Sequence, residues 1–301
     1  MCCARFGLFL LFLVWFSLQI RTLKDMRKVG VFVDVNFLNN SGGFGMNYDV
    51  LRNFAIRDSG MLSNLFAYMN YNQFRAEEEE AYHRRQRDFE DRLRDFGFTV
   101  TSLLYNEVFS HTEGNSFLQS TSEVRMAMDI LVASEYLDTV VIVSGSDVFY
   151  SLFSILRNKG CRVEVIGFKN VSEAVRCGSD FFLSGYLIPN LLSPQDSDGV
   201  REDFRRKWGE PGFRTRGICY SFNQEKKFGF IRFLRSLDKL WIVDARNPES
   251  PWETSFIHLT ELPSSVSFED LPSRDKIFEF TLSESEKGFQ SKEVVQINEY
   301  R

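Results

Sequence analysis

The sequence has no CxxC pair and no histidine cluster. Its five cysteines, Cys2, Cys3, Cys161, Cys177 and Cys219, are scattered along 301 residues. A zinc site needs closely spaced thiolate or imidazole ligands, so none is expected. The odd, dispersed count fits a reducing compartment, the cytoplasm, better than a disulfide framework. An excess of positive charge is also missing. With 36 Lys and Arg against 41 Asp and Glu, the formal net charge is -5, so no global field draws in a polyanion and any nucleic-acid binding must come from a local surface. Long hydrophobic runs are lacking too. The longest, Phe6 to Ile20, covers about 15 residues, short of the roughly 20 that a spanning helix wants, and no small-residue cleavage site follows it. Arg21, Lys24, Arg27 and Lys28 come directly after, so an inserted segment would leave the remaining chain in the cytoplasm. Residues 1–25 therefore read as an apolar anchor or as sequence upstream of a true start at Met26, and the second is preferred. A membrane partner is expected only if residues 6–20 are retained and insert.

What is present describes a globular protein. A hydrophobic fraction of 44% and a charged fraction of 26% exclude general disorder, and the length allows two cores. The organising stretch is Thr139 to Phe168. A β-branched run, Thr139 to Val143, is followed by Ser144-Gly145, an apolar-periodic segment, Lys159-Gly160 and a second run, Arg162 to Gly167. That order predicts strand, turn, helix and strand, a βαβ unit with a parallel sheet. Ligands and chemistry in open α/β sheets sit at the carboxyl ends of the strands, so the turn Ser144-Gly145-Ser146-Asp147 marks the expected active edge.

Upstream, Val29 to Val35 reads as a buried strand ending at Asp34. That carboxylate either holds a divalent cation or caps a turn. Asn47 to Arg57 predicts a helix, and Leu62 to Tyr71 a strand. The charged segment from Glu77 to Asp95 predicts an amphipathic helix, and Phe98 to Leu104 another strand. Glu123 to Leu137 predicts a helix with Thr121 or Ser122 as its N-cap. Arg125 and Asp129, four apart, form a local salt bridge or else bring Asp129 to the sheet edge. Ser172 to Cys177 predicts a short helix. From Ser193 to Phe213 the composition turns to Pro, Gly and charge, which predicts a linker with one helical turn around Phe204 to Trp208. Short strands then follow at Thr215–Phe222, Phe228–Leu234, Leu240–Asp244, Ser255–Leu259, Lys276–Ser283 and Glu293–Ile297, the pattern of a small all-β barrel.

From Met26 to about Leu192 the chain resembles the NYN family, PIN-like ribonuclease domains with a Rossmann-like sheet. The resemblance is carried by Val31-Phe32-Val33-Asp34, Glu123 to Leu131, Val143-Ser144-Gly145 with Asp147-Val148-Phe149, Gly160 to Val165, and Ser172 through Asp180-Phe181. It implies metal-assisted phosphodiester hydrolysis, in which a carboxylate cluster holds Mg²⁺ or Mn²⁺. Asp34, Glu123 and Asp129 are the implied metal ligands, and Asp147 joins them as a catalytic candidate. The turn departs from the pattern: the family has Asp, any residue, Asp, Phe after Ser-Gly, whereas this chain has Ser146, Asp147, Val148 and Phe149. Phe37 stands where the family has Asn.

From about Arg214 to Ile297 the chain resembles a cold-shock, OB-type barrel. Lys226 to Ile231 looks like the first ribonucleoprotein motif and Ser255-Phe256-Ile257-His258 like the second. The resemblance implies single-stranded RNA as partner, stacked on Phe222, Phe228, Phe230, Phe256 and His258, with Lys226 beside a phosphate. Ser221 replaces the family's Trp. The expected architecture is thus a PIN-like, Rossmann-like α/β domain over 26–192, a linker over 193–213 and an OB/cold-shock-like barrel over 214–301. No small-molecule cofactor is implied, and the oligomeric state is left open. Two functions stand side by side: a metal-dependent ribonuclease fed by an RNA-binding barrel, and a non-catalytic RNA-binding protein that keeps a nuclease fold as a scaffold.

Overall fold

The computed structural model describes residues 26–105, 110–193 and 208–298. The apolar segment at 6–20 and the centre of the linker, with most of its expected helical turn, lie outside the described residues. Among the described residues, no helix is long and apolar enough to cross a membrane.

The first unit is a six-stranded parallel sheet of β1 (Lys28–Asp34), β2 (Met61–Asn72), β3 (Thr99–Tyr105), β4 (Thr139–Val143), β5 (Arg162–Gly167) and β6 (Phe181–Ser184), in the order β3-β2-β1-β4-β5-β6. The central strands are buried on both faces. That is why they read as unbroken apolar runs rather than as alternation. Helices α1 (Val35–Ser41), α2 (Tyr48–Ile56), α3 (Gln73–Glu78), α4 (Glu80–Asp95), α5 (Ser110–Ala133), α6 (Tyr150–Asn158) and α7 (Glu173–Gly178) supply the connections. Two apolar cores result, one built on Val31, Val33, Leu51 and Phe54, the other on Phe32, Met126, Ile130 and Phe153. Because β1 pairs with both β2 and β4, the strand order reverses between β1 and β4. Their carboxyl ends therefore flank the crevice in which such sheets place ligands.

The second unit is a closed barrel of β7 (Arg214–Asn223), β8 (Phe228–Leu234), β9 (Trp252–His258), β10 (Ile277–Ser285) and β11 (Gly288–Gln296), ordered β10-β11-β9-β8-β7. All pairings are antiparallel except β11 with β9. Closure on five strands leaves no free sheet edge. The two units share apolar packing, with Phe168, Tyr186 and Leu187 in one cluster with Ile218, Trp252 and Ile277. Arg216 fastens the junction: it is ion-paired to Glu279 at 2.7 Å and donates to the Ser193 carbonyl at 2.6 Å.

Four local features differ from the sequence reading. Leu240–Asp244 is a turn and an irregular stretch, not a strand: β8 already has β7 and β9 as neighbours, and this segment packs on the junction through Leu240. The helix expected from Glu123 begins at Ser110, so Ser122 lies inside it and not at its cap, and the helix ends at Ala133. The charged helix breaks at Glu79, whose backbone is extended (φ -114°, ψ 92°). Finally, α1 and β6 are additions. Short apolar runs such as FFLS are ambiguous by periodicity alone.

Candidate metal site and nucleic-acid interface

Asp34 is the last residue of β1 and the N-cap of α1. Its Oδ1 accepts the Phe37 N–H at 3.0 Å and its Oδ2 accepts the Ser144 hydroxyl at 3.1 Å. Ser144 follows β4, so this hydrogen bond spans the crevice between the two strand ends. The carboxyl is 1% exposed. Burial above all, and then the charge of Glu123, push its pKa up from the ordinary 3.8 to about 6, while the hydrogen bonds from Phe37, Ser144 and the Asn36 backbone pull it down. Glu123 reaches the site from α5 and is itself buried. Next to it Asn36 donates to the Ser122 hydroxyl at 3.0 Å and accepts the Asn70 N–H at 3.1 Å, which ties α1, α5 and β2 together.

The other two predicted carboxylates do not join this pair. Asp129 accepts the Tyr68 hydroxyl at 2.9 Å and the Arg125 guanidinium at 3.0 Å, so the local salt bridge is formed. Burial and the Asp129 charge hold the Tyr68 phenol well above its usual range. Asp147 opens a 3-10 turn (Asp147–Phe149) that Ser146 caps, and its side chain is exposed while Phe149 is buried. The turn therefore directs its single acid to solvent, apart from the Asp34–Glu123 pair. Among the described residues, no group of three or more His, Cys, Asp or Glu could hold a metal ion.

Phe37 explains part of this. It is buried, and a Cβ on Gly145 would come within 2.6 Å of its ring and 2.9 Å of the Val171 backbone. Only glycine fits beneath that ring, so an apolar side chain covers the turn where the family pattern has a polar one. A groove of about 310 Å³ opens alongside, lined by Asn36, Asn39, Asn70, Arg85 and Arg92 among others. From the sequence, Ser144 has no assigned role and Asn36 stands out only as the polar residue that the family pattern expects after Asp34, while nothing singles out Asn70, Arg85 and Arg92. Asn36 sits two residues beyond Asp34, which was the one available signal for it.

On the barrel, Phe228 and Phe230 alternate with buried Gly229 and Ile231 along β8, so the two phenylalanines share the outer face. Phe230 lies opposite Phe256, and Phe228 opposite His258. The three rings form one half-buried cluster with centroids 5.6 to 6.2 Å apart. His258 is exposed but turns its Nδ1 back to accept the Thr260 N–H at 3.3 Å. Lys226, in the turn two residues before Phe228, is exposed. Phe222 departs from the predicted platform. A bulge between Cys219 and Ser221 shifts the register, so Phe222 lies opposite Gly229 and packs against the barrel core, and Ser221 takes the outer position beside Phe230.

A family model, the NYN domain, matches residues 28–184. Among solved structures, a protein of unknown function from Vibrio parahaemolyticus is similar at 19% identity over 53% of this chain and 93% of that chain, with a TM-score of 0.43. No curated protein matches.

Proposed function

The chain belongs to the NYN domain family of nuclease-like RNA-processing domains, and on that premise we propose that it is an RNA-binding protein that holds single-stranded RNA on the barrel's outer aromatic face. The observation that carries this is the cluster of Phe228, Phe230 and Phe256 on β8 and β9. Three large rings on the solvent side of a strand pair keep part of their surface open to solvent, and their flat faces suit unpaired bases. The second and third strands of an OB-type barrel are where such folds take oligonucleotides. The free thiols Cys161, Cys177 and Cys219 agree with the cytoplasm as the place of action. In fluorescence anisotropy with labelled oligouridine, Phe228→Ala and Phe230→Ala should each weaken binding by ~1–3 kcal/mol. Unchanged affinity in both folded variants would return these rings to a packing role.

For the sheet unit, the arrangement favours a scaffold over a nuclease, because only Asp34 and Glu123 converge, while Asp129 is engaged by Arg125 and Asp147 faces solvent. One observation favours the catalytic alternative: two buried carboxylates repel each other at the strand crevice, and a divalent cation would relieve both. Mg²⁺ commonly binds through one or two carboxylates together with substrate phosphates. Asp34 and Glu123 would hold it, and the ion would neutralise charge building on a phosphate. Calorimetric titration of Mn²⁺ into the full chain, beside Asp34→Ala, separates the two. Heat that depends on Asp34 supports the metal reading, and no heat up to millimolar Mn²⁺ supports the scaffold.

A further inference from the structure

Between the two units lies a second cavity, of about 440 Å³, well within the size range of small-molecule sites. It is separate from the Asp34–Glu123 pair and from the aromatic face. Its walls come from both units: Phe182 and Ser184 of β6 on one side, Arg232 of β8 and Trp252 of β9 on the other. An ion pair between Arg176 of α7 and Asp275 flanks it.

Several of its polar atoms are donors lacking acceptors, although the Arg232 Nη1 donates to the Val243 carbonyl at 3.4 Å. Trp252 and Ser184 are each more than nine-tenths buried, and neither the indole Nε1 nor the hydroxyl has a hydrogen-bond partner among the described residues. The Arg232 Nε is likewise buried and unpartnered. Leaving such groups unmet is unfavourable. Arg274 also lines the cavity and makes no ion pair among the described residues, and Asp275, the lining carboxylate, is already engaged by Arg176. Burial and the Arg274 charge lower the Arg232 pKa, so the two guanidiniums press on each other across a space whose lining carboxylate is taken up by Arg176. Like charges held together against their repulsion favour an anion. The remaining wall is aromatic, with Arg232 4.7 Å from the Trp252 ring and Arg176 5.8 Å from Phe182.

We propose that this cavity binds a nucleotide, with its phosphate on Arg232 and Arg274 and its base against Trp252 and Phe182. The Trp252 and Ser184 donors would then meet acceptors on the base or sugar. The nucleotide has two sources, a free mononucleotide or the 5′-phosphorylated end of an RNA strand. Arg232 stands two residues beyond Phe230 on the same outer face, about 7 Å along the strand, so a strand lying on the aromatic rings leads to the cavity mouth.

Calorimetry on the full chain tests this with UMP, AMP, uridine and oligouridine carrying or lacking a 5′-phosphate. Binding of UMP or AMP with uridine at least about tenfold weaker, and loss of at least about tenfold in Arg274→Glu and Arg232→Gln, supports a free nucleotide. Response only to the 5′-phosphorylated oligonucleotide, with the same sensitivity, supports the strand end. Arg274 is exposed, so its variant leaves the core untouched. No binding of any phosphorylated probe at millimolar concentration, or affinity indifferent to both arginine variants, overturns the proposal. Since Phe228→Ala reads the barrel face separately, either reading can fail while the other stands.

Discussion

The sheet unit buries acid in two places, and they are built on opposite principles. Glu164 on β5 is 1% exposed and surrounded by cations: Arg57 at 2.6 Å, Arg162 at 2.9 Å and Arg27 at 3.8 Å. Arg57 is itself buried, donates to the Phe54 carbonyl at 2.7 Å and lies 4.0 Å from the Phe54 ring. The acid there is answered several times over. Asp34, equally buried, has dipoles for partners and a second carboxylate for a neighbour. The first arrangement is that of a structural element, since a buried acid is tolerated once it is paired and hydrogen-bonded. The second keeps a titratable group where its ionised form is disfavoured, an arrangement that clusters at functional sites.

The largest effect should come from breaking the compensated site. Arg57→Met keeps the apolar contact with Phe54 but leaves Glu164 with two outer cations, and we expect a loss of about 3 kcal/mol in denaturant unfolding. A loss below about 1 kcal/mol would mean that Arg162 and Arg27 suffice and that the contrast with Asp34 is weaker than drawn.

The opposite sign is expected at Asp34. Its folded pKa, about 6, lies above the ordinary 3.8, so the folded state holds its proton to higher pH than the unfolded one. Stability contributed by the protonated form is therefore full below pH 4 and declines as pH rises to about 6 and slightly beyond. Asp34→Asn keeps a capping oxygen for the Phe37 N–H and removes the charge. Near neutral pH it should stabilise the protein by about 1–3 kcal/mol, and it should flatten the pH dependence between 4 and 6. Equal slopes in the two proteins would show that Asp34 ionises freely. Mn²⁺ sharpens the test: an ion held by the pair raises the melting temperature of the native protein and not of the Asn variant.

How far the sequence could reveal this contrast depends on how local each cause is. The parallel sheet was legible because buried strands such as Val29–Val33 and Thr139–Val143 must be apolar on both faces. The barrel was legible from short strands broken by turns, and its OB-like character from the resemblance that Lys226 to Ile231 carries. Asp34 was legible as a strand-end acid, with capping and metal binding both open, and the fold shows the capping. Three things were not legible. The Cys219–Ser221 bulge turns Phe222 inward, and a single inserted residue leaves no mark in the pattern. The contact of Phe37 with Gly145 joins residues over a hundred positions apart. The strand expected at Leu240–Asp244 is an apolar, β-branched run, but the closed barrel had no edge left to pair it.

The smallest expected effect concerns Asp147, and it tests the comparison from its weakest side. If the carboxyl edge still worked as a multi-ligand metal site, the one acid in the Ser144–Phe149 turn would have to swing inward on metal binding. Yet Phe149, two residues on, is anchored in the core, and the Ser146 hydroxyl caps the 3-10 turn from the other side. Inward rotation would break both. Asp147→Ala should therefore change stability by less than about 0.5 kcal/mol and leave any Mn²⁺ response of the native protein as it was. A Mn²⁺ response that vanishes in Asp147→Ala would show that the turn rearranges around the ion, and the pair at Asp34 and Glu123 would then be two thirds of a site rather than the whole of it.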